Sequence, residues 1–258
     1  MRRFFEYMGL TAIIITCFYY TNRLALLVRS RNPIMVSIKE VATSEVVSYV
    51  NARITDNTII PGISGLQVNK EKSFLRMKDF GAFNENYLVF DKTKPSVSLE
   101  DNKDKIIVRG NESKRAVSFI IDGNESVKNF FMINSLPATL LSYVSSFQIE
   151  TLEQINAETE RRLFSDMESL LNKNRKNINI CLVNDSNKDI CLRNRKYLVK
   201  ETNELSRGNL VNIRRNISSG AIILIRSSAS LEDVNILINQ ISYQGLKIIP
   251  LSELISES

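Results

Sequence analysis

The sequence predicts an α/β fold carried behind a small N-terminal α+β module and an apolar N-terminal helix, and three observations predict it. Through the second half of the chain, short apolar runs alternate with amphipathic stretches, the order expected where parallel strands alternate with covering helices. One run, AVSFII at Ala116–Ile121, is apolar but for Ser118, as in a strand covered on both faces. The first thirty residues hold a long apolar segment flanked by arginines. At 258 residues and 43% hydrophobic composition the chain can bury a sizeable core.

The uncharged heart of the N-terminal segment, YMGLTAIIITCFYY from Tyr7 to Tyr20, is shorter than the roughly 20 residues a spanning helix needs. Continuing it through Leu24, Ala25, Leu26, Leu27 and Val28 reaches that length, with Arg23 paired or snorkelling to an interface and Tyr19 and Tyr20 at the boundary. No small-x-small cleavage site follows, which points to an uncleaved signal anchor over 1–30 rather than a cleaved peptide, a buried core helix or a soluble amphipathic one. The net charge of +6 is concentrated here: Arg2, Arg3, Arg23, Arg29, Arg31 and Lys39 stand against Glu6 and Glu40, and the rest of the chain is close to neutral. That distribution argues against a nucleic-acid partner and for basic flanks around a membrane segment. With arginines on both sides, orientation is not decided by charge.

Residues 34–99 read as the small module. Its alternating start, Ile34 to Val41, predicts a half-buried strand. Pro61, Gly62 and Gly65 mark a tight connection, Phe74, Leu75 and Met77 a short helix ending at Gly81, and Asn84 to Phe90 another strand. The Asp/Lys/Asn-rich stretch Glu100 to Lys105 separates this module from the α/β region at 106–258.

In that region the strand at Ala116–Ile121 precedes a helix, Ser126 to Asn134, and a second strand candidate, Ala138 to Val144. Leu152, Ile155, Leu163, Met167, Leu170 and Leu171 predict one long amphipathic helix from Glu150 to about Lys173. Ile178 to Val183 and Lys196 to Val199 are further strands. Ser219-Gly220 leads into a strand at Ala221 to Ile225, after which Ser230 caps a helix with Glu232 and Asp233 in its first turn. Val234, Leu237, Ile238 and Ile241 keep helical spacing, Gly245 closes the helix, and LKIIP forms the last strand before a short helix from Ser252. Cys181 and Cys191 are expected as buried thiols, with a disulfide open to them in an oxidising compartment. Together with Asp185 and Asp189 they match no zinc spacing.

The closing segment, SGAIILIRSSASLEDVNILINQISYQGLKIIPLSEL, resembles that of the polysaccharide deacetylase family, a group of carbohydrate esterases, in which a G-x-I-I-L-x-H strand is followed by a helix and then by L-x-E-L. AVSFIIDGN, after the turn RGNESKR, is similar to the family's first motif, a strand ending in two aspartates, and Leu136-Pro137-Ala138-Thr139 resembles its x-x-A-T-F-F. The framework covers about 150 residues. A weaker resemblance links IPGISGLQVNKEKSFLRMKDFGAFNENYLVF to the N-terminal module of a membrane-anchored subgroup from spore-forming bacteria. The resemblance implies a deacetylase-like distorted (β/α) barrel.

It also implies a lost site. Arg226 stands at the family's catalytic histidine, Asp122 at its catalytic base, and Gly123 at the metal-binding aspartate. The chain has no histidine, so the pair that completes the family's zinc-type site is missing. The family's reaction uses the ion to polarise an amide carbonyl and activate water, and an arginine is no general acid near neutral pH. A nucleophilic serine would also lack its histidine base. No metal ligand is assigned and no cofactor expected. The binding candidates are Asp122, Arg226, Ser227 and Ser228. Asp122 is read as capping the helix near Ser126 or as a vestigial base, and Arg226 as pairing with Asp122 or holding an acidic or hydroxylated glycan.

These expectations describe a catalytically inactive, membrane-anchored deacetylase-like protein with its folded part outside the cytoplasm. It binds cell-wall glycan or scaffolds a partner such as an active deacetylase. The alternative is a divergent metal-dependent glycan N-deacetylase whose ion is rebuilt around Asp122 with other carboxylates such as Asp185 or Glu204.

Overall fold

The computed structural model describes residues 2–258, with side chains from Tyr7 onward, so the flank of Arg2, Arg3 and Glu6 lies outside the described side chains. Contacts divide the chain into two compact units, residues 1–48 with 65–93 and residues 49–64 with 94–258.

In chain order the first elements are helices α1 (Arg2–Ser30) and α2 (Pro33–Ser44), strands β1 (Arg53–Thr55), β2 (Thr58–Ile60) and β3 (Gly65–Val68), helix α3 (Lys70–Met77) and strand β4 (Phe90–Thr93). In the smaller unit, Tyr7–Ser30 of α1 is long and apolar enough to cross a membrane, and none of that window is buried. The strand expected at Ile34 to Val41 is instead α2. The Asn32 side chain accepts from the Ile34 amide at 2.9 Å and Pro33 occupies the first helical position, a start signal that outweighs a short alternation. Ile34, Met35, Ile38 and Ala42 then share one buried face, and Ile38 packs with Val68 and Met77. Asn69 caps α3 through the Lys72 amide, and β3 and β4 pair antiparallel. The strand expected from Asn84 starts only at Phe90, because Asn84 caps a 3-10 turn at Glu85–Tyr87. Arg29, in the last turn of α1, donates to the Glu71 carbonyl at 3.1 Å and lies 4.7 Å from the Phe74 ring centre.

The larger unit continues with β5 (Ile106–Ile107), β6 (Ala116–Ile121), α4 (Glu125–Ile133), β7 (Thr139–Ser142), β8 (Glu153–Asn156), α5 (Arg161–Lys173), β9 (Ile180–Leu182), α6 (Lys188–Arg193) and β10 (Tyr197–Val199). It closes with β11 (Asn203–Leu205), α7 (Leu210–Asn216), β12 (Ile222–Ile225), α8 (Leu231–Tyr243), β13 (Lys247–Ile248) and α9 (Leu251–Ile255). One sheet runs β1-β2-β5-β10-β9 and the other β11-β12-β6-β7-β8, with β13 also on β6. A parallel bridge between Gln154 and Asn177 links them at β8. Apart from the β1–β2 hairpin and the Val50–Ile63 bridge, all these pairings are parallel. The result is a mixed α/β fold with a curved parallel array at its centre.

All six residues of β6 are buried. Its odd-numbered side chains, Val117, Phe119 and Ile121, meet the helix layer, where Phe119 packs edge-on against Phe131 at 5.3 Å. Ala116 and Ile120 face the opposite core with Ile107, Ile155, Val199 and Leu224. The single long helix expected from Glu150 is instead β8 and then α5, which starts at Arg161. Leu152 and Ile155 happen to fall at helical spacing, but Ile155 is buried in the strand, and the Asn156 side chain donates to the Phe164 carbonyl at 2.9 Å across the turn. Buried Lys196 is held by Glu168 and Asn177, each at 2.7 Å. Gly220, at φ +86°, lets the loop before β12 meet Gly110, whose carbonyl oxygen would lie 2.3 Å from any Cβ there.

Candidate functional site

The sheet register assembles the site. Ile121 on β6 pairs with Ile225 on β12, so Asp122 and Arg226 leave adjacent strands at the same level. Glu204 on β11 pairs with Leu224, which puts it two residues short of that level. Alternation then puts Asp122, Arg226 and Glu204 on the face that Ile120 and Leu224 share, at the carboxyl rim of the parallel array. Arg226 Nη1 donates to Asp122 Oδ2 at 2.9 Å, and Nη2 donates to Glu204 Oε2 at 3.0 Å. Tyr143, just past β7, donates its hydroxyl to Asp122 Oδ1 at 3.2 Å.

Arg226 and Tyr143 are tuned by their neighbours. The Glu204 carboxylate first, and Asp122 after it, hold the guanidinium above its ordinary pKa against the cost of desolvation. Burial, reinforced by the Asp122 charge, pushes the Tyr143 phenol up to about 12. Both Asp122 oxygens are engaged, one by a permanent cation and one by a hydroxyl.

Of the predicted candidates, Asp122 and Arg226 meet, while Ser227 and Ser228 are exposed on the turn beyond them. Asp122 does not cap the following helix. Asn124 does, accepting from the Val127 amide at 3.1 Å. The same side chain donates to the carbonyls of Arg226, Ser227 and Ala229 at 3.2, 3.3 and 3.0 Å, tying the β12 turn to α4. Asn124 and Tyr143 were not singled out from sequence. An Asx residue directly before a helical run was the available signal for Asn124, and nothing local marks Tyr143.

The donor set does not fit a divalent ion. Asp122 and Glu204 face a guanidinium, and Gly123 offers no ligand. Cys181 and Cys191, expected as thiols, form a disulfide with 6.0 Å between their Cα atoms, while Asp185 and Asp189 are exposed. Among the described residues no three His, Cys, Asp or Glu side chains come together in a group that could hold a metal.

Two cavities adjoin the rim. One of about 100 Å³ is lined by Tyr143, Asn187, Glu201 and Arg226 among others. The other, about 340 Å³, lies beyond β6 and β7 and is lined by Gly123, Asn124, Lys128, Ser142, Glu150 and Gln154. In it Lys128 pairs with Glu150 at 2.7 Å, and Gln154 donates to Ser142 at 3.1 Å.

Solved structures share this fold. The Bacillus anthracis protein BA3943, described as a CE4 family pseudoenzyme, superposes with a TM-score of 0.57 at 20% identity, covering 87% of this chain and 95% of that one. A mutant of it described as having restored enzymatic activity superposes with a TM-score of 0.56 at 21% identity, covering 87% and 98%. The uncharacterised protein YlxY of Bacillus subtilis is 38% identical over 108 residues, 40% of this chain. That match spans about a third (34%) of the length of YlxY. No protein-family model matches the chain.

Proposed function

Starting from a polysaccharide deacetylase-like fold whose reactive positions carry other side chains, we propose that this protein binds cell-envelope glycan without hydrolysing it. The observation that carries the proposal is Arg226, held between Asp122 and Glu204 where the resemblance implies a proton-transferring histidine beside a metal. A guanidinium whose pKa is raised further by its two carboxylates supplies charge and hydrogen bonds but no proton. Asp122 is held through one oxygen by Arg226 and through the other by the Tyr143 hydroxyl. Glu204, a carboxylate on which a rebuilt metal site would draw, is committed to the same arginine.

Binding has better support than chemistry. The cavity beside Gly123, at about 340 Å³, falls within the roughly 300–1,000 Å³ typical of ligand sites, whereas the one touching Arg226 is well below it. Its carboxylate, ammonium, hydroxyl and amide groups, bonded to one another as Lys128–Glu150 and Gln154–Ser142, are of the types that hydrogen-bond sugar hydroxyls. Anchoring through α1 with the fold outside the cytoplasm agrees with the Cys181–Cys191 disulfide, which favours an oxidising compartment.

Acetate release and binding test the reading together on N-acetylated glycan oligomers, with and without zinc or cobalt. Binding by calorimetry that is weakened in Gln154→Ala, with no acetate released, supports it. Metal-dependent release that is lost in Asp122→Asn overturns it.

A further inference from the structure

The smaller unit carries an exposed apolar face that the deacetylase-like reading does not use. Phe80 is 66% exposed and stacks on Tyr87 with ring centres 5.1 Å apart, and Leu75 on α3 is 51% exposed. Lys70, Arg76 and Lys78 lie on and beside α3, and among the described residues none of them makes an ion pair. Acidic Glu71, Asp79 and Glu85 are interspersed, so the face is amphipathic rather than purely basic.

What places this face is Arg29. It belongs to the last turn of the apolar helix Tyr7–Ser30, and it holds α3 through the Glu71 carbonyl and the Phe74 ring. Where α1 leaves the hydrocarbon, α3 therefore begins. Eight residues of helix extend about 12 Å, so Leu75 and, just past the helix end, Phe80 stay close to that level. Arginine with aromatic rings is the composition that headgroup layers favour, because a ring keeps an apolar body against acyl chains while cations meet phosphates.

We infer that the smaller unit lies in the bilayer interface, with Leu75, Phe80 and Tyr87 seated among the lipid headgroups of the leaflet from which α1 emerges. The inference rests on the membrane-anchor reading of α1.

The chain has no tryptophan, so one introduced indole reports without background. The full chain is placed in nanodiscs of phosphatidylcholine and phosphatidylglycerol brominated either near the headgroup or deep in the acyl chain, in three variants: Ile14→Trp, Leu75→Trp and Phe80→Trp. Deep bromines should quench the Ile14→Trp variant. Shallow bromines should remove about half the emission of the other two, in keeping with the roughly 5–10 Å depth that interfacial side chains reach. Quenching at position 14 with none at 75 or 80 overturns the interface proposal and leaves the anchor standing. Absence of quenching at position 14 overturns the anchor, and the proposal with it.

Discussion

Replacing Arg226 by methionine keeps an unbranched apolar stem and removes the guanidinium, leaving Asp122 and Glu204 without their shared cation. The Glu204 arm joins two side chains that are each 41% exposed, so it belongs with surface pairs, about 0.2–1 kcal/mol. The Asp122 arm ends on a carboxylate only 19% exposed. A hydrogen bond to a charged group contributes about 1.5–3 kcal/mol, and the water around Arg226 places this one at the low end. The expected loss is about 2 kcal/mol, or about 4–8 °C in Tm for a unit of this size. Thermal unfolding of the full chain in detergent, followed by circular dichroism, reads it directly. A double-mutant cycle with Asp122→Asn should return a coupling of about 1 kcal/mol. An unchanged or higher Tm, with coupling below about 0.3 kcal/mol, would refute the reasoning that the guanidinium structurally fills this site.

Further outcomes are expected elsewhere. In an ultraviolet titration Tyr143 should ionise near 12, and Tyr143→Phe should delete that step. Its folded pKa lies above the ordinary value of about 10, so its stabilisation is complete below about pH 10 and is lost between there and about pH 12. Lys196→Met leaves the Glu168 carboxylate, largely buried, with only the Asn156 and Asn177 amides and should cost about 3 kcal/mol in urea unfolding. Cys191→Ser opens a short loop and should cost about 2–3 kcal/mol, a loss that a dithiol reproduces in the parent and not in the variant.

What was legible in the sequence was whatever repeats or is locally signalled. AVSFII reads as a covered strand, and Ser230, Val234, Leu237, Ile241 and Gly245 specify α8 from cap to terminus. The errors came where two periods coincide over few residues. Ile34, Val36 and Ile38 alternate as a strand would, but Asn32 and Pro33 start a helix there. Leu152 and Ile155 fit a helix that the buried strand β8 pre-empts through its partner β7. At the site, Asp122 and Arg226 were legible because each stands in a recognisable motif, and their pairing agrees with one of the readings available beforehand. Tyr143 was not marked, and Glu204 was named only as one carboxylate for a rebuilt metal site, because their roles depend on the strand order β11-β12-β6-β7, a long-range property that no local window contains.

That strand order also bears on how the chain acquires its shape. β6 lies mid-sheet, yet beside β7 its neighbours are β12 and β13, contributed about a hundred residues later. The last helix follows, burying Leu251 and Leu254 in the same core, and Glu257 then accepts from the amides of Gly62 and Leu99 at 3.1 and 2.8 Å. A chain emerging from the ribosome therefore holds a buried, largely apolar strand with one flank bare until β12 and β13 have been made, and pairing over such separations is slow. Aggregation during synthesis, and not gradual fraying, is the failure that truncation before β12 should produce.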